Sequence, residues 1–244
     1  MSIFLIYAYL FFLGSLLGWG IEVIYRRFFS KVNPERNWIN PGFCVGPYLP
    51  LYGTGLCVLY AMANLGTKLG LTDSIGTRLL LFLLMALSMT VIEYIAGMMA
   101  LKWFKLRLWD YTNEWANLNG LICPRFSLYW AILSALYFFL IHPRILNALN
   151  WLSQNLAFSF FIGFFFGAFV IDVSYSASLT AKMKRFAEEN GIVIRYEKLK
   201  AHIRDAEAAA KEKNRFLFAF HGSRSLSDYL KEAHEAHEKR RMAK

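Results

Sequence analysis

The sequence predicts an all-α, polytopic membrane protein with about five transmembrane helices and a basic helical tail. Three observations carry that prediction. The 244 residues are 57% hydrophobic and only 18% charged, against roughly 45–50% and about 25% in an average soluble domain. Five stretches approach the roughly 20 apolar residues that a spanning helix needs. Charge is unevenly placed: residues 1–180 hold 11 Lys/Arg and 7 Asp/Glu, whereas residues 181–244 hold 16 and 10. This divides the chain into a transmembrane domain, 1–180, and a cytoplasmic tail, 181–244. A β-barrel is not expected, because the apolar residues run continuously instead of alternating.

The elements follow in order. Ile3–Ile21 carries no charge and continues through Glu22 to Tyr25. With no basic residue before the apolar run and Arg26 and Arg27 after it, the segment reads as a signal anchor and not a cleaved leader. Val45–Gly66 is uncharged, with Pro47 and Pro50 disturbing its first turns. Leu79–Ile92 is uncharged and runs past Glu93 to about Leu101. A fourth segment spans Ser127–Ile141, and a fifth spans Leu156–Leu179 with Asp172 in its second half. In the tail, Glu197–Lys213 reads as a charged, Ala-rich helix. Ser225-Leu-Ser-Asp228 reads as a capping box opening a last one.

Orientation follows from the basic residues of the short loops. The loops after the first and third segments hold eight Lys/Arg and those after the second and fourth hold three. The first set is therefore expected in the cytoplasm, with the N-terminus outside and, for five crossings, the C-terminus inside. The protein is expected in the cell membrane, in contact with lipid. Its charge of +10 is accounted for by that asymmetry, so nucleic acid is not an expected partner.

A parallel internal repeat is suggested. Ile21-Glu22-Val23 and Ile92-Glu93-Tyr94 close the first and third segments. Asn40-Pro41-Gly42-Phe43-Cys44 answers Asn119-Gly120-Leu121-Ile122-Cys123, and Pro47 to Tyr52 aligns with Pro124 to Tyr129. Under this repeat Glu22 and Glu93 share one cytoplasmic-side cavity, since ionisable groups at membrane depth are costly and face a bundle interior or aqueous cavity. The expected site residues are Glu22, Asn40, Glu93, Asp110, Tyr111 and Asn119, supported by Arg26, Arg125 and Asp172. The bland alternative for Glu22 is an i, i+4 pair with Arg26.

Gly18-Trp19 with Glu22 and Tyr25, Asn40-Pro-Gly-Phe43, Gly46-Pro47, Pro50-Leu-Tyr-Gly53, Glu93-Tyr94 with Gly97, Trp109-Asp110-Tyr111 and Asn119-Gly120-Leu-Ile-Cys123 together resemble a bacterial membrane-protein family, the putative ABC-transporter type IV or CmpB-like family. The resemblance covers roughly residues 10–142 and implies a permease-like role. It departs at Pro41, where the family pattern has a basic residue.

The residues constrain that implication. No Gly-x4-Gly-Lys-[Ser/Thr] run occurs, so ATP-driven activity would need a separate ATPase subunit. Five helices are few for a transport pathway, so a homodimer is a further expectation. Gly14/Gly18 and Gly163/Gly167 offer faces either for it or for internal packing. No cofactor is expected. His234 and His237 stand at i, i+3 without a third ligand, so no metal is expected either. Whether the chain is an enzyme stays open. One alternative is an intramembrane enzyme acting on a lipid or lipid-linked substrate at the cytoplasmic leaflet, with Cys44 or Cys123 as nucleophile candidates. The other is a non-catalytic membrane scaffold.

Overall fold

A computed structural model describes residues 2–30, 33–209, 228–232 and 234–235. Most of the described residues are helical. In chain order they form α1 (Ile3–Phe28), α2 (Pro50–Lys68), α3 (Ile75–Phe104), β1 (Leu106–Arg107), α4 (Pro124–Leu136), a π-helical turn (Tyr137–Ile141) and α5 (His142–Gln154). A short 3-10 turn, α6 (Ser159–Glu189), β2 (Ile194–Arg195) and α7 (Tyr196–Ala209) follow. The capping box at Ser225 and His237 lie outside the described residues.

Four helical stretches are long and apolar enough to cross a membrane: Ile3–Phe28, Ile75–Phe104, Pro124–Gln154 and Leu156–Glu189. The remaining expected segment is helical too, but starts at Pro50 rather than Val45, with the proline at its first turn. There the missing N–H costs nothing. It has 19 residues, about 28 Å at 1.5 Å per residue, and Thr54, Asn64 and Thr67 make it less apolar than the other four. The fourth segment does not end at Ile141. Pro143 cannot donate to a carbonyl one turn back, and the helix continues through it by widening into the π turn. Just beyond it, the Arg144 guanidinium donates to the Leu140 carbonyl.

By contacts the chain falls into two compact units. The first comprises residues 1–20, 48–96 and 111–170. Its apolar core includes Leu10, Leu59, Met85, Trp130, Tyr137 and Leu152. Within it α2 runs antiparallel to both α1 and α3. Tyr7 meets Tyr60 edge to face at 6.1 Å, whereas Gly18 faces Tyr52. Likewise Gly55 faces Met89 and Gly66 faces Leu81. A Cβ on Gly18 would lie 2.2 Å from the Tyr52 side chain, so glycine is required there by close approach. The Gly14/Gly18 face thus packs internally, while Gly163 and Gly167 have open space over them.

The second unit comprises residues 21–47, 97–110 and 171–244. Here β1 pairs with β2 in parallel, Leu106 opposite Ile194 and Arg107 opposite Arg195. Beneath them Leu106, Met183, Ile194, Leu199 and Ile203 form a second apolar core, joined by Tyr229 and Leu230. Tail residues of α6, β2 and α7 are therefore integral to this unit and share its core with Phe43 and Leu108.

Candidate functional site

In the first unit the polar residues gather around Glu93. Its neighbours in sequence are apolar, and α3 carries it at 3% exposure. The Tyr111 hydroxyl donates to Glu93 Oε1 at 3.0 Å, and the Tyr111 ring stacks on Phe126 with centroids 4.2 Å apart. The loop that delivers Tyr111 is built by its own side chains. Asn117 donates to the carbonyls of Thr112 and Glu114 and accepts from the Gly120 N–H. Ala116 and Asn119 adopt left-handed φ of 49° and 56°, a conformation that a non-glycine residue holds only under local constraint. Asn119 Nδ2 donates to the Tyr94 hydroxyl at 3.0 Å. Arg125 pairs with Glu114 at 3.2 Å. Cys123 immediately precedes α4 and is 2% exposed.

In the second unit Glu22 has the partner that the i, i+4 alternative named. Arg26 Nε meets Glu22 Oε1 at 3.0 Å, and the same guanidinium also reaches Glu197 of α7. Lys200, 7% exposed, donates to the carbonyls of Asn40 and Gly42, at 2.8 and 3.4 Å. Its ammonium lies 5.0 Å from the Tyr196 ring centroid. Burial pushes Lys200 down to about 8, and Arg26 adds to that effect, although Glu197 opposes it. For Glu197, burial raises the carboxyl, but the charges of Arg26 and Lys200 outweigh it and hold the group below the ordinary carboxylate range.

Asn40 is buried and folds the loop on itself. It donates to the Cys44 and Val45 carbonyls and accepts from the Gly42 N–H. Asp172 fixes the end of that loop by accepting from the Val45 and Gly46 N–H groups at 3.0 and 2.6 Å. Ser176 donates to the same carboxylate. Burial, reinforced by the Asp172 charge, pushes the Cys44 thiol up to about 12, so at neutral pH it is a packed thiol and no nucleophile. Asp110 bridges the two strands of this unit, to Arg107 at 3.6 Å and Arg195 at 3.4 Å.

The expected residues therefore divide. Glu93, Tyr111, Asn119 and Arg125 belong to the first unit, and Glu22, Arg26, Asn40, Asp110 and Asp172 to the second. Sequence order is matched across the suggested repeat, yet the environments differ: Glu22 is held by a cation and Glu93 by a phenol, and Asn40 is buried whereas Asn119 is exposed. Sequence reasoning missed Glu197, Lys200 and Arg195. Glu197 and Lys200 stand at i, i+3 directly after the apolar Ile192–Ile194, which marks an amphipathic helix but not which charges it buries. Among the described residues no cluster of three or more His, Cys, Asp or Glu side chains is placed to hold a metal.

Comparison with known proteins adds one relationship. No curated protein and no solved structure matches the chain significantly. A family model does, over residues 9–177, which include α1 from Tyr9, the Glu93 loop and Asp172. That match covers well over half of the molecule, and with the four long apolar helices it makes the chain a membrane protein belonging to the putative ABC-transporter type IV family.

Proposed function

We propose that this chain is the permease-like, membrane-spanning subunit of a transport system whose ATPase is a separate polypeptide. One observation carries the reading: Glu93 is a carboxylate at 3% exposure and the one charged residue between Leu79 and Leu101. Such groups within spans usually face a pathway or a polar cavity inside the bundle. Tyr111 reaches it from a preorganised loop, on which Asn119 holds Tyr94, and Arg125 in the first turn of α4 pairs with Glu114 of that loop. The family supports transport, and the 244 residues contain no P-loop run of their own. Glu22 is not counted in this site, because Arg26 and the tail helix supply its surroundings.

The reading has five crossings, an external N-terminus and a cytoplasmic C-terminus in the cell membrane. The antiparallel packing of α2 on α1 and α3 supports its counting as a crossing. The enzyme alternative loses its thiol nucleophiles, since Cys44 and Cys123 are both buried.

The test is purification of the full chain from its own membranes in mild detergent, followed by reconstitution. A nucleotide-hydrolysing subunit is expected at fixed stoichiometry, with hydrolysis altered by Glu93→Gln and restored by Glu93→Asp. A chain that purifies without such a subunit, and whose loss leaves ATP-dependent uptake by the cells unchanged, would overturn the proposal.

A further inference from the structure

Two adjacent arginines at the end of α1 meet opposite surroundings. Arg26 is taken up by Glu22 and Glu197. Arg27 has no ion-pair partner among the described residues; it lies over the Trp38 ring instead, 5.2 Å from the centroid. Trp38 is 54% exposed and Phe28 is 57% exposed, and the two rings meet edge to face at 6.4 Å. Large apolar rings are left open to the surroundings beside an unneutralised cation.

The arrangement is built and not accidental. Asn33, 2% exposed, donates to the Arg26 and Asn37 carbonyls and accepts from the Asn37 N–H. That staple returns the chain so that Trp38 reaches the end of α1. The neighbouring charges, Glu35 and Arg36, are of opposite sign and cancel; Glu35 accepts from Asn37 and Arg36 donates to the Ser30 carbonyl. The indole ring offers the Arg27 guanidinium no oxygen acceptor, and a guanidinium's planar set of N–H donors matches a phosphate. Trp side chains concentrate where a span meets water, and this one stands at the end of a 26-residue apolar helix.

We propose that Arg27 and Trp38 form a headgroup site for an anionic phospholipid, the guanidinium taking the phosphodiester while Trp38 and Phe28 lie against the upper acyl chains. The site is independent of the transport reading, because it requires only that α1 lies in a bilayer. It also assigns the C-terminal end of α1 to an anionic leaflet.

The test uses the full chain, delipidated in detergent and titrated by native mass spectrometry with phosphatidylglycerol and separately with phosphatidylcholine. The wild type should prefer phosphatidylglycerol. Arg27→Gln should weaken that lipid about fivefold, the contribution of one basic residue at an anionic surface, and weaken phosphatidylcholine less, because the choline ammonium already offsets its phosphodiester charge. Trp38→Ala should weaken both lipids. Arg27→Lys keeps the charge without the planar fork and should keep part of the preference, which guards against misfolding of the Gln variant. Equal binding of the two lipids by the wild type would overturn the proposal. So would a Lys variant that loses the preference as fully as Gln, or displacement of the bound lipid by inorganic phosphate at equal concentration.

Discussion

The Tyr111 hydroxyl donates to the Glu93 carboxylate across 3.0 Å, joining the loop before α4 to the buried centre of α3. Removing a donor from a buried carboxylate typically costs about 1–3 kcal/mol. Tyr111→Phe is therefore expected to lower the thermal midpoint in detergent, and Glu93→Gln to lower it less, since the amide still offers an oxygen. The two changes share one hydrogen bond, so the double variant should fall short of the sum. Simple additivity would show that the phenol and the carboxylate act separately.

The docking of α7 should depend on pH in two windows. Glu197 has its carboxyl held below the ordinary range, so its contribution is present above the unfolded value and is lost as pH falls through the folded one. Lys200, lowered to about 8 from 10.5, acts in the same sense at a higher pH. Between those two values the unfolded chain holds a proton that the folded one has released, so stability rises with pH across that window. Hydrogen exchange of α7 should slow from pH 8 to 9 once corrected for intrinsic rates, below the range in which the raised Cys44 thiol opposes the trend. Lys200→Met should abolish that slope while leaving the acid transition.

Breaking the same cluster by charge should be costly. Arg26→Gln leaves Glu197 without its nearest cation. Loss of one partner from a buried pair costs about 3–5 kcal/mol, and here the lower end applies, since both side chains keep nearly a fifth of their exposure. Limited proteolysis should cut the α6–β2 turn near Gly191 faster in the variant. An unchanged cutting rate would mean that the apolar core under α7 suffices alone.

Cys44 and Cys123 should react slowly with a bulky aqueous thiol reagent in the native protein, being 3% and 2% exposed, and both should react on denaturation. Cys44 should stay the slower to label at pH 9, because its thiol titrates only at about 12. Rapid native labelling of either would place its loop outside the packed units.

Reporter fusions locate the termini. A fusion at Lys244 should be active as a cytoplasmic reporter and one at Thr72, in the turn between α2 and α3, as an external one. A reporter at Lys244 active outside the cell would reverse the orientation, and agreement between the two positions would remove one of the three later stretches, Ile75–Phe104, Pro124–Gln154 or Leu156–Glu189, from the crossings.

The spans were legible because length and uninterrupted apolarity write them directly into the chain, and the weight on Glu93 was legible because no other charge stands in its segment. For Glu22 the expected reading was a cavity shared with Glu93, and the pair with Arg26 was only its alternative. What escaped was non-local. Two residues of β1 and two of β2 carry no pattern of their own and pair only because Leu106 and Ile194 share a core. The descent of Lys200 onto the Asn40 and Gly42 carbonyls joins positions 160 and 158 residues apart, beyond the reach of periodicity. The fourth segment was bounded at Ile141 for a local reason: the apolar run gives way there to His142-Pro143-Arg144, whereas the helix widens one turn and continues.

That widened turn also sets the phase of everything after it. At 3.6 residues per turn, Ile145 would stand roughly 80° around the axis from Tyr137. One residue absorbed by the wider turn brings it back to within roughly 20°, and Tyr137, Ile145, Leu149 and Leu152 all enter one core. The five residues Tyr137–Ile141 thus work as a rotational spacer. Closing that turn into regular α-helix with all five residues kept would swing Ile145, Leu149 and Leu152 roughly 100° away from the core, whereas deleting any one of the five would leave a regular helix with their phase unchanged.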